Sequence, residues 1–109
     1  MSGYRVVFRR EALQQLEDLY DYIADAGSPD NAARYTDAIV TYCQGLTEFP
    51  YLGVARDDIR PGLRTIGYKR RVVIAFAVLD YTVAIVGIFY GGRDYETILA
   101  AADPDEVDS

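Results

Sequence analysis

Five of the chain's eleven basic residues lie within one segment, RPGLRTIGYKRR, from residue 60 to residue 71. Guanidinium and ammonium groups at this density bind carboxylate or phosphate groups through charge-assisted hydrogen bonds. The chain as a whole is acidic, with 17 acidic residues, 11 basic residues and a formal net charge of −6. The segment therefore predicts a binding site for an anionic partner. Its candidates are Arg60, Arg64, Lys69, Arg70, Arg71 and the more distant Arg93.

The distribution of charge along the chain supports this prediction. Residues 11 to 55 carry eight acidic residues and one basic residue, whereas residues 56 to 71 carry six basic and two acidic residues. A molecule polarised in this way attracts polyanions or acidic proteins to its basic end. The alternative is that the basic side chains solvate strand faces and pair with acidic neighbours such as Asp57 and Asp58.

Catalytic chemistry is restricted by the residue types that the chain lacks. There is no histidine, which excludes Ser-His and Cys-His nucleophiles, histidine-bound zinc and the usual general base near neutral pH. Cys43 is the only cysteine, so the chain can form neither an internal disulfide nor a thiolate metal cluster, and it is interpreted as a buried small hydrophobe. No catalytic residue, metal or cofactor is predicted.

Two helices are predicted to follow a short first strand at residues 4 to 8. The apolar residues Leu13, Leu16, Tyr20 and Ile23 recur at steps of three and four, which is typical of one face of an amphipathic helix starting at Arg9. Gly27 ends this helix, Ser28 caps the next one and Pro29 fits its first position. The second helix is predicted to reach about residue 48, with Ile39 in its apolar stripe. The short link makes an antiparallel helical hairpin.

Three strands are predicted in the second half, at residues 63 to 68, 71 to 78 and 82 to 89. Pro61-Gly62 predicts a type II turn before the first of them, and Asp80-Tyr81 predicts a tight connection between the last two. Residues 72 to 78, VVIAFAV, are apolar on both faces, so we expect the helical hairpin to cover one face and a partner to cover part of the other. Asp94 is placed to cap a helix from residue 95 to about residue 102.

The longest apolar run, residues 72 to 79, is far shorter than the roughly 20 residues that span a bilayer. No uninterrupted hydrophobic stretch resembles a signal peptide at the N-terminus. The chain is therefore predicted to be cytoplasmic, without membrane contact. Residues 1 to 102 are predicted to form a single domain, followed by a flexible acidic tail at residues 103 to 109.

Three strings in this order, IRPGLR from residue 59, YKRRVVIAFAV from residue 68 and VGIFYGGRD from residue 86, resemble the RelE/ParE superfamily of bacterial toxins, and the ParE branch most closely. The resemblance covers roughly residues 4 to 99. It implies an α+β fold in which an N-terminal strand and an antiparallel helical hairpin pack on a mainly antiparallel four-stranded sheet, with a short C-terminal helix.

The resemblance also implies a function. ParE toxins bind DNA gyrase and stabilise cleaved DNA complexes, with indirect DNA contact and without a catalytic site of their own. They are neutralised by a ParD-like antitoxin, which wraps the toxin in a hetero-oligomeric complex. On this basis the basic residues become candidates for target binding. The candidates for antitoxin binding are Leu13, Leu16, Tyr20 and Ile39, provided that these side chains face outward rather than into the core.

Two other functions remain open at this point. The RelE branch cleaves messenger RNA on the ribosome, which requires a group that activates the ribose 2′-hydroxyl, a proton donor and cations for the transition state. Such a site could be built from Arg64, Lys69, Arg71, Tyr90 and Arg93. The third possibility is a regulatory member of the fold that is not toxic. Tyr90 occupies a place often held by histidine in ParE proteins, which leaves the particular target open.

Overall fold

The computed structural model describes residues 3–92 and 94–101. Its secondary-structure elements are β1 (Arg5–Phe8), α1 (Arg10–Ala26), α2 (Pro29–Gln44), a 3₁₀ turn (Gly45–Thr47), β2 (Val54–Ala55), β3 (Leu63–Tyr68), β4 (Val72–Leu79), β5 (Thr82–Tyr90) and α3 (Tyr95–Ala101). The acidic tail predicted at residues 103 to 109 lies outside the described residues. None of the helices in the described ranges has the length and apolar character needed to cross a bilayer.

The helical hairpin forms as its local signals predict. The Ser28 side chain accepts a hydrogen bond from the backbone N–H of Asn31 at 3.1 Å, and Pro29 is the first residue of α2. The predicted N-cap and N-terminal proline are thus confirmed. Helix α2 ends at Gln44, earlier than predicted, because the chain tightens there into the 3₁₀ turn.

The sheet has five strands in the order β1-β5-β4-β3-β2, where the sequence predicted four. Strands β3, β4 and β5 form the predicted antiparallel meander, and β1 lies parallel to β5 from Arg5 opposite Thr82 to Phe8 opposite Ile85. The additional strand, β2, has only two residues and pairs with β3 in a segment where the sequence predicted no strand. Two residues are too few to show a strand pattern in a sequence.

The main core lies between the helical hairpin and one face of the sheet. Its buried residues are Ala12, Leu16, Leu19, Ile39, Cys43, Leu46, Val72, Ile74, Phe76, Val83, Ile85 and Ile88. A second cluster, Leu63, Ala75, Phe89 and Leu99, occupies the opposite face, where Ile59 and Tyr95 also pack. The chain therefore covers part of this second face with its own helix α3, in the place where the sequence predicted a partner.

A β-bulge in β5 fixes which side chains face the helices. Phe76 lies opposite Ile85 while Ala75 lies opposite Gly87, so Val86 is an extra residue without an opposite partner. Because of this shift, Val83 and Ile85 before the bulge and Ile88 after it all contribute to the core on the helical side. The bulge thus aims the far end of β5 toward α1, where the candidate site lies.

Candidate functional site

A cleft of about 430 Å³ opens between α1 and the end of the sheet where β5 finishes and β4 begins. Its walls are Gln15, Asp18, Leu19 and Tyr22 from α1, and Arg71, Ile88, Tyr90 and Gly91 from the sheet. The cleft therefore combines an acidic, a basic and an amide side chain with two aromatic rings. Groups of these types bind polar or aromatic side chains of a partner.

The cleft exists because β1 is shorter than β5. Strand β1 ends opposite Ile85, so the rest of β5 has no neighbouring strand on that side within the described residues. The side chain of Gln15 takes the place of the missing strand, since its Oε1 accepts a hydrogen bond from the backbone N–H of Ile88 at 2.7 Å. On the other side, the N–H of Gly91 donates to the carbonyl of Arg71 at 2.9 Å. Gln15 thus anchors α1 to the sheet edge that lines the cleft.

Tyrosine rings surround the cleft and continue along the helical hairpin. The ring of Tyr90 lies 5.9 Å from that of Tyr22 and 6.0 Å from that of Tyr35, while Tyr42 and Tyr68 are 4.7 Å apart. Burial raises the pKa of Tyr35 and of Tyr42 above the usual value of 10. These two hydroxyls are therefore neutral at physiological pH and cannot act as bases there.

The predicted basic residues do not form one patch. Arg64, near the start of β3, donates from Nη2 to the carbonyl of Tyr51 at 2.6 Å and from Nε to the carbonyl of Leu52 at 3.1 Å, and its guanidinium lies over the Tyr51 ring. Arg60 donates to the carbonyl of Leu99 at 3.3 Å. Both side chains hold loops and α3 against the sheet.

The other described members of the basic segment lie at the opposite end of β3. Lys69 and Arg70 lie in the turn between β3 and β4. Arg71 follows them in the sequence and lines the cleft. All three are exposed, and none forms an ion pair within the described part of the chain. Arg64 and Lys69 are five residue steps apart along an extended strand, a distance of about 17 Å. Arg93 lies outside the described residues.

One basic residue with a clear structural partner was missed by sequence reasoning. Arg56 donates to Asp58 at 2.9 Å, forms a short ion pair with Glu96 and reaches the hydroxyl of Tyr95. The Arg56 guanidinium lowers the pKa of the Asp58 carboxyl. The predicted cap of α3 is confirmed, since Asp94 accepts hydrogen bonds from the N–H and hydroxyl of Thr97. Only the spacing of Arg56 and Asp58 could have pointed to this cluster.

The four residues named for antitoxin binding have different surroundings. Leu16 and Ile39 are buried in the main core, so their side chains offer no surface to a partner, and their assignment to a docking surface is corrected. Leu13 is 52% exposed and Tyr20 is half-buried. Tyr22, on the same helix, is 61% exposed and lines the cleft. Sequence reasoning missed Tyr22 because it lies beside, and not on, the apolar stripe.

The described residues contain no group of three His, Cys, Asp or Glu side chains that could hold a metal ion. Cys43 is fully buried, as predicted, and burial raises the pKa of its thiol to about 12. The thiol is therefore protonated at physiological pH and is not a nucleophile.

Comparison with protein families decides what kind of protein this is. A family model described as the ParE toxin of the type II toxin-antitoxin system, parDE, matches residues 6–95. The chain belongs to the ParE toxin family. A solved structure titled "Chromosomal ParDE TA system from P. aeruginosa" has a TM-score of 0.72 at 23% sequence identity, covering 84% of this chain and 99% of that one. A search of curated proteins found no match. The predicted ParE-like α+β fold is confirmed.

Within this ParE-family fold, the four described residues considered for RNA cleavage, Arg64, Lys69, Arg71 and Tyr90, are not assembled around one point. Arg71 and Tyr90 share the cleft, and Lys69 lies at the adjoining turn. Arg64 is held at the far end of β3 by backbone carbonyls. Asp18 supplies a carboxylate to the cleft, but it accepts a hydrogen bond from Gln14 at 3.0 Å. The cleft thus offers a cation, a phenol and a carboxylate for binding.

Proposed function

We propose that this ParE-family chain stops growth by binding DNA gyrase, and that a ParD-like antitoxin neutralises it in a hetero-oligomeric complex. The observation that carries the proposal is the ParE toxin family match, which extends over residues 6–95. The similarity of the fold to the ParDE system of P. aeruginosa supports it. The antitoxin, the gyrase target and the complex belong to this proposal.

Inhibition by binding fits the chemistry of the site better than catalysis of RNA cleavage. Cleavage needs a base, a proton donor and converging cations within reach of one phosphate. Here Arg64 is occupied by backbone carbonyls, and the partly buried phenols of Tyr35 and Tyr42 are neutral. Arg71 and Tyr90 remain in the cleft with Asp18, an arrangement suited to hydrogen bonding with a partner.

The proposed antitoxin surface is the outer side of α1 together with the cleft beside it. Tyr22 is exposed on the cleft side of this helix. Exposed Leu13 and half-buried Tyr20 lie seven residues apart on the opposite side of the helix. An amphipathic helix of the antitoxin can pack on such a surface through its own apolar face. The many acidic residues of the helical hairpin suit a partner with basic side chains along the edge of that face.

A gyrase assay with purified protein tests the target. We expect the protein to inhibit supercoiling by a purified bacterial gyrase and to increase the amount of cleaved DNA recovered after denaturation. Relaxation of the same plasmid by topoisomerase I is the control and is expected to be unchanged. Undiminished supercoiling at a large molar excess of the protein would contradict the proposal.

A further inference from the structure

The turn between β3 and β4 has a backbone that its residues do not favour. Lys69 and Arg70 both have positive φ, at 51° and 68°. Tyr68 pairs with Val72, so three residues, Lys69 to Arg71, connect the strands. The first two adopt the left-handed conformation, which Gly and Asn reach most easily. Side chains with a Cβ are strained in this region. The chain therefore keeps two large basic residues where smaller residues would be more stable.

The connection between β4 and β5 shows that successive positive φ values do not require basic residues. Asp80 and Tyr81, between β4 and β5, have φ values of 48° and 63°. Both connections thus contain two successive residues with positive φ and carry opposite charge, although the first has three residues and the second has two. The basic residues at the first turn need a reason beyond the turn itself.

Within the described residues, no acidic side chain neutralises the charge at this turn. Lys69, Arg70 and Arg71 are adjacent and exposed, and none forms an ion pair with the described residues. The Lys69 ammonium lies 5.5 Å from the centre of the Tyr68 ring. Adjacent like charges repel each other, and an anionic partner removes this repulsion on binding.

We propose that the β3–β4 turn, Lys69 to Arg71, is the point at which an acidic segment of the target protein docks. This inference rests on the proposed function, because it assumes that the chain acts by binding a protein target. The turn supplies positive charge. Aromatic rings of the kind enriched at protein interfaces lie beside it, since Tyr68 contacts Lys69 and Tyr90 lines the cleft with Arg71. Arg60 and Arg64 are excluded, because backbone carbonyls occupy them at the other end of β3.

An acidic protein segment suits the turn better than nucleic acid. The cations of this turn form no ion pair with the described residues and lie at one end of the sheet. The helical hairpin lies in residues 11 to 55, which carry eight acidic residues and one basic residue. A long polyanion such as duplex DNA would extend over this acidic surface and be repelled. A short acidic loop can contact the turn alone.

A double variant separates an effect on docking from an effect on folding, because it is expected to raise stability and to weaken docking. Lys69→Asn with Arg70→Gly installs residues that tolerate positive φ and removes two charges. We expect the melting temperature to rise by about 4 °C or more. We expect the concentration needed for half-inhibition of gyrase, and the inducer level needed for growth arrest, to rise by about tenfold or more.

The matched control makes the same backbone exchange at the other turn. Asp80→Asn with Tyr81→Gly relieves the same conformation but leaves the basic turn intact. We expect this control to inhibit gyrase and arrest growth as the wild type does. Equal potency of the wild type and the Lys69→Asn/Arg70→Gly variant, with folding confirmed by the melting curve, would overturn the inference.

The remaining outcomes distinguish this inference from the proposed function. Growth arrest by the wild type without gyrase inhibition would remove gyrase as target, and the arrest assay on the two double variants would still decide the role of the turn. If the wild type caused no growth arrest, both the proposed function and this inference would be contradicted. Binding of the wild type to a fluorescent 30-base-pair DNA duplex without gyrase, lost in the Lys69→Asn/Arg70→Gly variant, would replace the acidic segment by nucleic acid and overturn the inference.

Discussion

The arginine residues of the basic segment differ in what their side chains bind. Arg64 binds three backbone carbonyls, those of Tyr51, Leu52 and Gly53, and so holds the loop before β2 against β3. Arg70, six residues after Arg64, lies in an exposed turn. Planar guanidinium groups can donate several hydrogen bonds at once, and lysine cannot reproduce this geometry.

Arg64→Lys should therefore lower stability although it keeps the charge. We expect the free energy of unfolding to fall by about 1–2 kcal/mol, because several hydrogen bonds to carbonyls lose their donors. Arg70→Lys is the matched control and is expected to change it by less than about 0.5 kcal/mol. Urea titration followed by circular dichroism measures both. Equal unfolding midpoints for the two variants would show that the carbonyl contacts of Arg64 do not stabilise the fold.

The ion pair of Asp58 with Arg56 should make stability depend on pH. The Arg56 guanidinium lowers the pKa of Asp58 below its usual value of 3.8 in the folded chain. The carboxylate therefore stabilises the fold above its unfolded pKa, and this contribution is lost as the pH falls through the lower, folded pKa. We expect wild type to melt above Asp58→Asn at pH 7 and the difference to shrink below about pH 4.

The control for this pH series is Asp37→Asn, an exposed residue of α2. Melting temperatures of the three proteins are measured from pH 7 to pH 2 in one buffer series. A gap between wild type and Asp58→Asn that stays constant over the whole range would show that the Arg56 ion pair is not its source.

At the scale of elements, the bulge in β5 and the short β1 together create the cleft. The bulge orients Ile88 toward the helices. Because β1 ends early, the backbone N–H of Ile88 has no strand partner there and donates to the side chain of Gln15 instead. Gly87 is part of this arrangement, because a Cβ at that position would lie 2.5 Å from the Phe89 ring. The bulged strand therefore requires glycine at residue 87.

Gly87→Ala should be destabilising, by about 1–3 kcal/mol, because the new methyl group displaces the ring of Phe89 in the second cluster. Gly45→Ala is the matched control. A Cβ at Gly45 would meet nothing within 4 Å, and its φ of −66° suits alanine, so we expect a gain of about 0.4–1 kcal/mol. Chemical denaturation of both variants measures the difference. A neutral Gly87→Ala would show that the strand can move to admit the methyl group.

The elements that could be predicted from sequence are those with local signals. Ser28-Pro29 marked the start of α2, Pro61-Gly62 marked a turn and Asp80-Tyr81 marked the hairpin, and all three are present. Strand β2 could not be predicted, because its two residues depend on a distant partner strand. The bulge was equally hidden, since a strand that is apolar on both faces shows no change of period at an inserted residue.

The site was harder to predict than the fold because its members come together only in three dimensions. Basic residues close in sequence suggested one patch, yet β3 extends between them and carries Arg64 and Lys69 to opposite ends. The cleft joins residues of α1 with residues some seventy positions later. The apolar stripe of α1 identified the core residue Leu16 but could not tell which neighbours remain exposed.

At the scale of the whole molecule, acidic and basic side chains occupy different parts of the fold. The acidic helical hairpin covers one face of the sheet, helix α3 covers part of the other, and the basic β3–β4 turn projects at one end. This arrangement suits a ParE-family toxin that acts by docking on a target protein. A partner on α1 and the cleft would lie close to that turn, since Arg71 belongs to both.

The most direct test of whether gyrase is the target that stops growth is made in cells that express the protein from an inducible promoter. DNA breaks with induction of the SOS response, and the integrity of a reporter transcript, are measured in the same culture at the onset of growth arrest. We expect breaks and SOS induction with an intact transcript. Cleaved transcripts without SOS induction would contradict the proposed function and would make Arg71 and Tyr90 candidates for a ribonuclease site.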